Sequence, residues 1–142
     1  MQLKRDTDYA LRIILYIGVY WPEREQTSEG FSLSEISSQT SVPRISADRI
    51  CGYLKDSDIL SSVRTGTNEL LYHPGKDFYD RSLLDVINAA EDGVQLFAVF
   101  DRKSLFYRER DETLRRIQES VDETLSRITI RQFLDGEKDA SR

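Results

Sequence analysis

The feature that most restricts this chain is a change of period near residue 58. Before that point apolar residues recur at helical spacing. After it come two short β-prone runs, Ile59 to Arg64 and Glu69 to His73, separated by Thr65-Gly66-Thr67-Asn68. The tetrapeptide supplies the Gly and Asn that a hairpin turn demands. Two helices with a tight joint precede it. Ser32-Leu33-Ser34-Glu35 is a capping box, in which the serine hydroxyl and the glutamate three residues on satisfy each other's backbone donors. The helix it opens ends near Thr40, with Leu33, Ile36 and later Val42 facing inward. Ser41-Val42-Pro43 makes a brief turn, and a third helix starts with proline near its first turn. There Ala47, Ile50, Cys51 and Leu54 fall at i, i+3, i+4, i+7 and pack inward, while Arg44, Ile45, Asp48, Arg49 and Tyr53 look outward or lie at the margins. Gly52 weakens the middle of this helix by about 1 kcal/mol relative to alanine. A helix-turn-helix followed directly by a hairpin is the winged-helix plan, in which one helix enters the DNA major groove and the hairpin lies across the backbone or in the minor groove.

The flanks fit a mainly α domain with a small β-hairpin wing. Asp6 or Thr7 caps a first helix whose apolar stripe is Ala10, Leu11, Ile14, Leu15, Ile17 and Gly18. The expectation is that it runs to about Tyr20, is stopped by Pro22 and is followed by a polar surface loop from Glu23 to Gly30. Ser82-Leu83-Leu84-Asp85 begins another capped helix, ended by Asp92-Gly93. Val94 to Tyr107 holds Phe97, Phe100, Phe106 and Tyr107 without a clean period and reads as a packed, irregular connection. From Asp111 to Ile128 the residues Leu114, Ile117, Val121, Leu125 and Ile128 form a narrow seam on a charged helix, resembling two heptads, and such a seam wants a partner helix. Packing of that seam on its own domain is the alternative. Thr129 to Leu134 adds a final helical turn, and Gly136 to Arg142 reads as a disordered polar tail. The division is therefore a winged helix-turn-helix head at 1–92, a connection at 93–110, a long dimerisation helix region at 111–134 and a tail at 135–142.

Composition removes whole classes of function. A length of 142 residues with 39% hydrophobic residues suits one domain with one core. The longest apolar stretch, Leu11 to Trp21, carries Arg12 and is about half of what a bilayer needs, so no membrane partner is expected. Asp6 and Asp8 stand where a signal peptide should be basic, which points to a cytoplasmic protein. One cysteine, Cys51, and one histidine, His73, leave too few soft ligands for a zinc or iron–sulfur site. Cys51 falls on the inward stripe and reads as an inert buried thiol. His73 reads as a strand-surface residue without a catalytic partner. No Gly-rich phosphate loop, Ser-His-Asp order or nucleotide fingerprint is present, so neither catalytic nor metal residues are assigned and no cofactor is expected.

Five segments in order carry a family resemblance. Asp8-Tyr9-Ala10-Leu11-Arg12, Ser32-Leu33-Ser34-Glu35-Ile36, Leu60-Ser61-Ser62-Val63-Arg64, Ser82-Leu83-Leu84-Asp85-Val86-Ile87 and Leu125-Ser126-Arg127-Ile128-Thr129-Ile130 span most of the chain. Together they resemble the Rrf2 family of bacterial winged-helix transcription regulators. The resemblance implies a homodimer in which the long C-terminal helices pair, so that two heads read a palindromic operator. Several members hold an iron–sulfur cluster through three cysteines ahead of the dimer helix. The corresponding stretch here, Glu91 to Arg110, contains none, so the chain resembles a cysteine-free branch, whose sensing input is a small molecule, a partner protein or nothing at all. Asp8 lies where one cluster-binding relative uses an aspartate ligand. Without thiolates it reads as a surface or capping group. The wing also departs from the family pattern: its glycines are reduced to Gly66, Glu69 adds negative charge, and Asp58 takes the helix-ending place usually given to glycine.

Binding DNA needs positive charge facing phosphates, yet residues 1–75 carry 8 Lys and Arg against 10 Asp and Glu. Placement must compensate. Lys4 and Arg5 at the start of the first helix, Arg44 and Arg49 on the third and Arg64 on the wing are the cations expected to cluster on one face. Arg64 matches a wing arginine that the family uses on DNA. Its planar fork suits a guanine edge or a narrow minor groove. Asp48 sits where a family member presents a glutamate to bases. It either accepts from a cytosine amino group or is a surface acid near Arg44 or Lys55. Ile45 either touches a thymine methyl or packs at the edge of the core. Ser46, Arg49, Thr65, Thr67 and Asn68 are phosphate-contact candidates. The reading is a sequence-specific DNA-binding regulator, a repressor acting as a homodimer. The alternative is a winged-helix interaction module or adaptor that no longer binds DNA, which the acidic balance favours.

Overall fold

The computed structural model describes residues 5–90 and 105–140. Its elements are α1 (Arg5–Arg24), β1 (Phe31–Ser32), α2 (Leu33–Thr40), α3 (Arg44–Asp56), β2 (Leu60–Arg64), β3 (Leu70–Pro74), a single 3-10 turn (Phe78–Asp80), α4 (Leu83–Ala90), α5 (Leu105–Arg127) and α6 (Ile130–Ala140). The mainly α winged-helix reading is borne out. The strands form one antiparallel sheet in the order β1-β3-β2, with Arg64 opposite Leu70 and Leu60 opposite Pro74 in the hairpin. The core joins Ala10, Ile13, Ile14 and Ile17 of α1 to Ile36, Val42, the predicted stripe Ala47, Ile50, Cys51 and Leu54, and Val86 of α4.

Helix α1 does not stop at Pro22 but runs through it to Arg24. A proline at this position denies an N–H to the carbonyl four residues back, that of Gly18. The Tyr79 hydroxyl donates to that carbonyl at 2.9 Å, so the helix continues without an orphaned acceptor. Directly after the Glu23 to Gly30 loop comes a short strand, β1, that the spacing did not show. Phe31 is wholly buried and pairs with Tyr72, tying the start of α2 to the wing.

At the other end, α5 begins at Leu105, within the stretch read as connection, and α6 runs to Ala140 where a turn and a tail were expected. The reason for α6 is tertiary. Ile130 and Leu134 are buried in the core of the head, each stabilising by about 1.5–3 kcal/mol. Leu134 lies against Gly18, where a Cβ would come within 2.7 Å of its side chain. Two bonds stitch the end of α5 to the start of α4: Leu83 N–H to the Ile128 carbonyl at 2.8 Å and Ile130 N–H to the Arg81 carbonyl at 2.9 Å. The C-terminal end of α5 is thus joined to α4, and α6 packs into the core of the head. The aromatic residues Phe97 and Phe100 and the stop at Asp92-Gly93 lie outside the described residues. No described helix is long and apolar enough to cross a membrane.

Candidate nucleic-acid interface

The interface is built on the joint between α2 and α3. Ser32 caps α2, its hydroxyl accepting from Glu35 N–H at 3.1 Å as the capping box requires. The Glu35 carboxylate is mainly engaged elsewhere. Arg24 donates to it through both terminal nitrogens, one at 2.9 Å, and Tyr16 donates at 3.0 Å. Arg24 holds the Glu35 carboxyl below its ordinary value against the cost of burial, with Tyr16 and the Ser32 amide as lesser supports. Burial first, and the Glu35 hydrogen bond second, push Tyr16 up to about 12. This half-buried cluster fixes α2 against α1. The turn follows through Ser41 in the left-handed region at φ 59°, and the Ser37 hydroxyl donates to the Val42 carbonyl at 2.6 Å.

With Ala47, Ile50, Cys51 and Leu54 buried, the opposite stripe of α3 faces solvent. Ile45 is 86% exposed, which removes the edge-of-core reading and leaves an isoleucine standing free on the outer face. Arg44 beside it donates to Ser34 Oγ at 2.9 Å. Asp48 is exposed on the same face and, among the described residues, forms a salt bridge with neither Arg44 nor Lys55. Ser46 is half-buried on α3. Arg49 is held by Asp6 of α1, an arrangement the sequence did not reveal because the two are 43 positions apart. Tyr53, read from spacing as outward or marginal, and Lys55 are also exposed on this helix and extend the face beyond the DNA-contact candidates.

Helix α3 ends in a Schellman motif, with Asp58 N–H bonded to the Lys55 carbonyl and Ile59 N–H to that of Leu54. Asp58 is left-handed at φ 61°, as its glycine-like place implied. The wing follows. Asn68 N–H bonds to the Thr65 carbonyl at 2.9 Å and Thr65 N–H to that of Glu69 at 2.8 Å, closing a turn whose left-handed residue is Asn68 at φ 65°. The hairpin therefore depends on Asn68, and a side chain at Gly66 would meet nothing. Thr65 also hydrogen-bonds to Thr67 at 2.9 Å and accepts from Glu69 N–H, so both hydroxyls stiffen the tip. Exposed Arg64 donates to the Asn68 carbonyl at 3.4 Å. Among the described residues Arg5, Arg44, Lys55 and Arg64 are in no salt bridge, whereas Arg12 is paired with Asp8 at 2.8 Å. Asp8 is thus an ion-pair partner on α1. Lys4 lies outside the described residues.

Of the seam on α5, Ile117 is 42% exposed and Val121, Leu125 and Ile128 are half-buried. Leu114 lies on the same helix.

A helix-turn-helix with an outward stripe and a stiff two-stranded wing defines the winged-helix class. Within it, the family model of Rrf2, described as an iron-dependent transcriptional regulator, matches residues 3–136, and the chain belongs to that family. The solved structure of T. potens IscR is similar at a TM-score of 0.72 and 15% identity, covering 100% of this chain and 92% of its own. CymR of B. subtilis, the global cysteine regulator, gives a TM-score of 0.68 and 16% identity over 95% of this chain and 97% of its own. Staphylococcus aureus CymR in its oxidized form gives 0.67 and 15% over 94% and 96%. No curated protein matches by sequence.

The family's iron dependence meets a donor set that does not fit a thiolate-held cluster. Cys51 is the chain's one cysteine and is wholly buried in the core of the head. Burial pushes its thiol up to about 12, far from the thiolate a metal needs. Among the described residues no three His, Cys, Asp or Glu come together as a metal site. No step is assigned to iron or to a cluster.

Proposed function

We propose that this regulator is a sequence-specific repressor that binds double-stranded DNA in the cytoplasm as a homodimer on a palindromic operator, without an iron–sulfur cluster. The observation that carries the proposal is Ile45, 86% exposed on the solvent stripe of α3 between exposed Arg44 and Asp48. A stable core gains nothing from an isoleucine placed there, whereas a major groove offers it a thymine methyl. Asp48 would accept from a cytosine amino group and Arg44 would take a guanine edge or a phosphate. Arg64 would enter the minor groove beside the wing, with Ser46, Thr65, Thr67 and Asn68 on phosphates and Lys4 and Arg5 on the flanking backbone. The head at 1–92 would be joined through 93–110 to the dimerisation region at 111–134, and an effector, a small molecule or a partner protein, would act by changing the spacing of the two heads.

Selection of bound fragments from random DNA, followed by anisotropy titration of the selected duplex, tests this. The expected result is a two-fold symmetric site bound with steep salt dependence, weakened about tenfold or more by Arg64→Ala. Binding that is absent on every duplex would instead establish the adaptor reading that the acidic composition favours.

A further inference from the structure

The outer stripe of α3 carries one arginine that is already occupied. Arg49 Nη2 donates to Asp6 Oδ1 at 3.0 Å and Nη1 donates to Asp6 Oδ2, a fork-to-carboxylate pair linking the recognition helix to the first turn of α1. Tyr53, one turn along α3, is a lesser partner of the same guanidinium, and Arg5 is a lesser cation beside Asp6. A bidentate carboxylate uses the same planar fork that would grip a phosphate or a guanine edge. It also places a negative charge where a phosphate would have to come.

We propose that Asp6 is an intramolecular competitor of the DNA backbone, withholding Arg49 and so setting the affinity of the recognition helix. This rests on the reading of α3 as the DNA-facing helix. Arg49, a phosphate-contact candidate by position, then contributes little in the native chain, and Arg5, Arg44, Lys55 and Arg64, which form no salt bridge among the described residues, do the attracting. The pair holds the protein below the affinity its arginines could supply, which speeds release from non-operator DNA, where phosphate contacts are the whole of the binding.

The test is a double-mutant cycle on full-length protein and the selected duplex. Asp6→Asn keeps the shape and removes the charge. It should bind about threefold to tenfold tighter at low salt and steepen the log-affinity against log-salt slope by about 0.9, the increment for one phosphate contact. Arg49→Ala in the native background should change affinity by less than about twofold, but should erase the gain when combined with Asp6→Asn. Asp6→Ser repeats the measurement should Asp6→Asn melt below the assay temperature. Equal or weaker binding by both Asp6 variants, or an equal cost of Arg49→Ala in both backgrounds, would overturn the proposal. The native protein and Arg64→Ala are titrated alongside. A native protein that binds with normal salt dependence while the cycle stays flat refutes only the role of Asp6. A native protein that binds no duplex overturns the DNA reading and this inference together.

Discussion

Asp58 occupies a backbone conformation that suits glycine, and its surroundings make the position informative. At φ 61° its side chain bears a steric cost, and its carbonyl lies 2.3 Å from where a Cβ on Gly75 would stand. Asp58→Gly should therefore stabilise the head by about 0.5–1 kcal/mol in urea unfolding, the relief being offset in part by the freer unfolded chain. Gly75→Ala should destabilise it by about 2 kcal/mol or more, since backbone has to move. Glu35 gives a pH signature. Its folded carboxyl is held below the ordinary value of 4.5. Its stabilisation is thus complete above that value and is lost as pH falls through the lower, folded one. Glu35→Gln should cost about 1–2 kcal/mol at neutral pH, and the difference from the native protein should close on acidification below pH ~4. A difference that stays constant down to acid unfolding would show that the Arg24 pair contributes nothing.

At the scale of elements, the proline in α1 is tolerated because another element answers it. Removing the Tyr79 hydroxyl leaves the Gly18 carbonyl without its donor, so Tyr79→Phe should lose about 1 kcal/mol. Pro22→Ala restores an N–H to the same carbonyl, so in that background Tyr79→Phe should cost much less; equal costs in both backgrounds would refute the coupling. This compensation explains what the sequence disclosed and what it concealed. Helices α1 and α3 and the hairpin were legible because period and turn residues declare them locally, down to the four inward residues of α3. Strand β1 was not, because two residues carry no period and Phe31 is fixed by pairing with Tyr72. Of α6 only the first turn, Thr129 to Leu134, was legible; its continuation to Ala140 was not, the helix being anchored by burying Ile130 and Leu134. The interface followed the same division. The outward position of Ile45 followed from spacing only as far as two alternatives, and the capture of Arg49 by Asp6 depends on how α1 crosses α3, which no local pattern records.

At the scale of the molecule, the long helix α5 is anchored at one end and carries an exposed apolar residue farther back. The C-terminal end of α5 is stitched to the head through Ile128 and continues into the buried residues of α6. Farther back, Ile117 remains 42% exposed on a helix otherwise lined with charge, including the Arg115–Glu112 and Arg116–Glu112 pairs. A helix of 23 residues is about 35 Å long. That is close to the distance of one DNA turn that separates the half-sites of a two-fold operator. The proposed dimer would use this length to set head spacing, with Ile117 and Val121 near the seam and the head's own core untouched. Ile117→Glu should then shift the protein from dimer to monomer in light scattering at micromolar concentration. The melting temperature of the head should move little, because Ile117 is outside its core. Operator affinity should fall about a hundredfold or more, since the second half-site would no longer be held at high effective concentration, while binding of an isolated half-site should be unchanged. A native protein that is monomeric, or a variant that keeps full operator affinity as a monomer, would place Ile117 on an ordinary surface and leave a single head to do the reading.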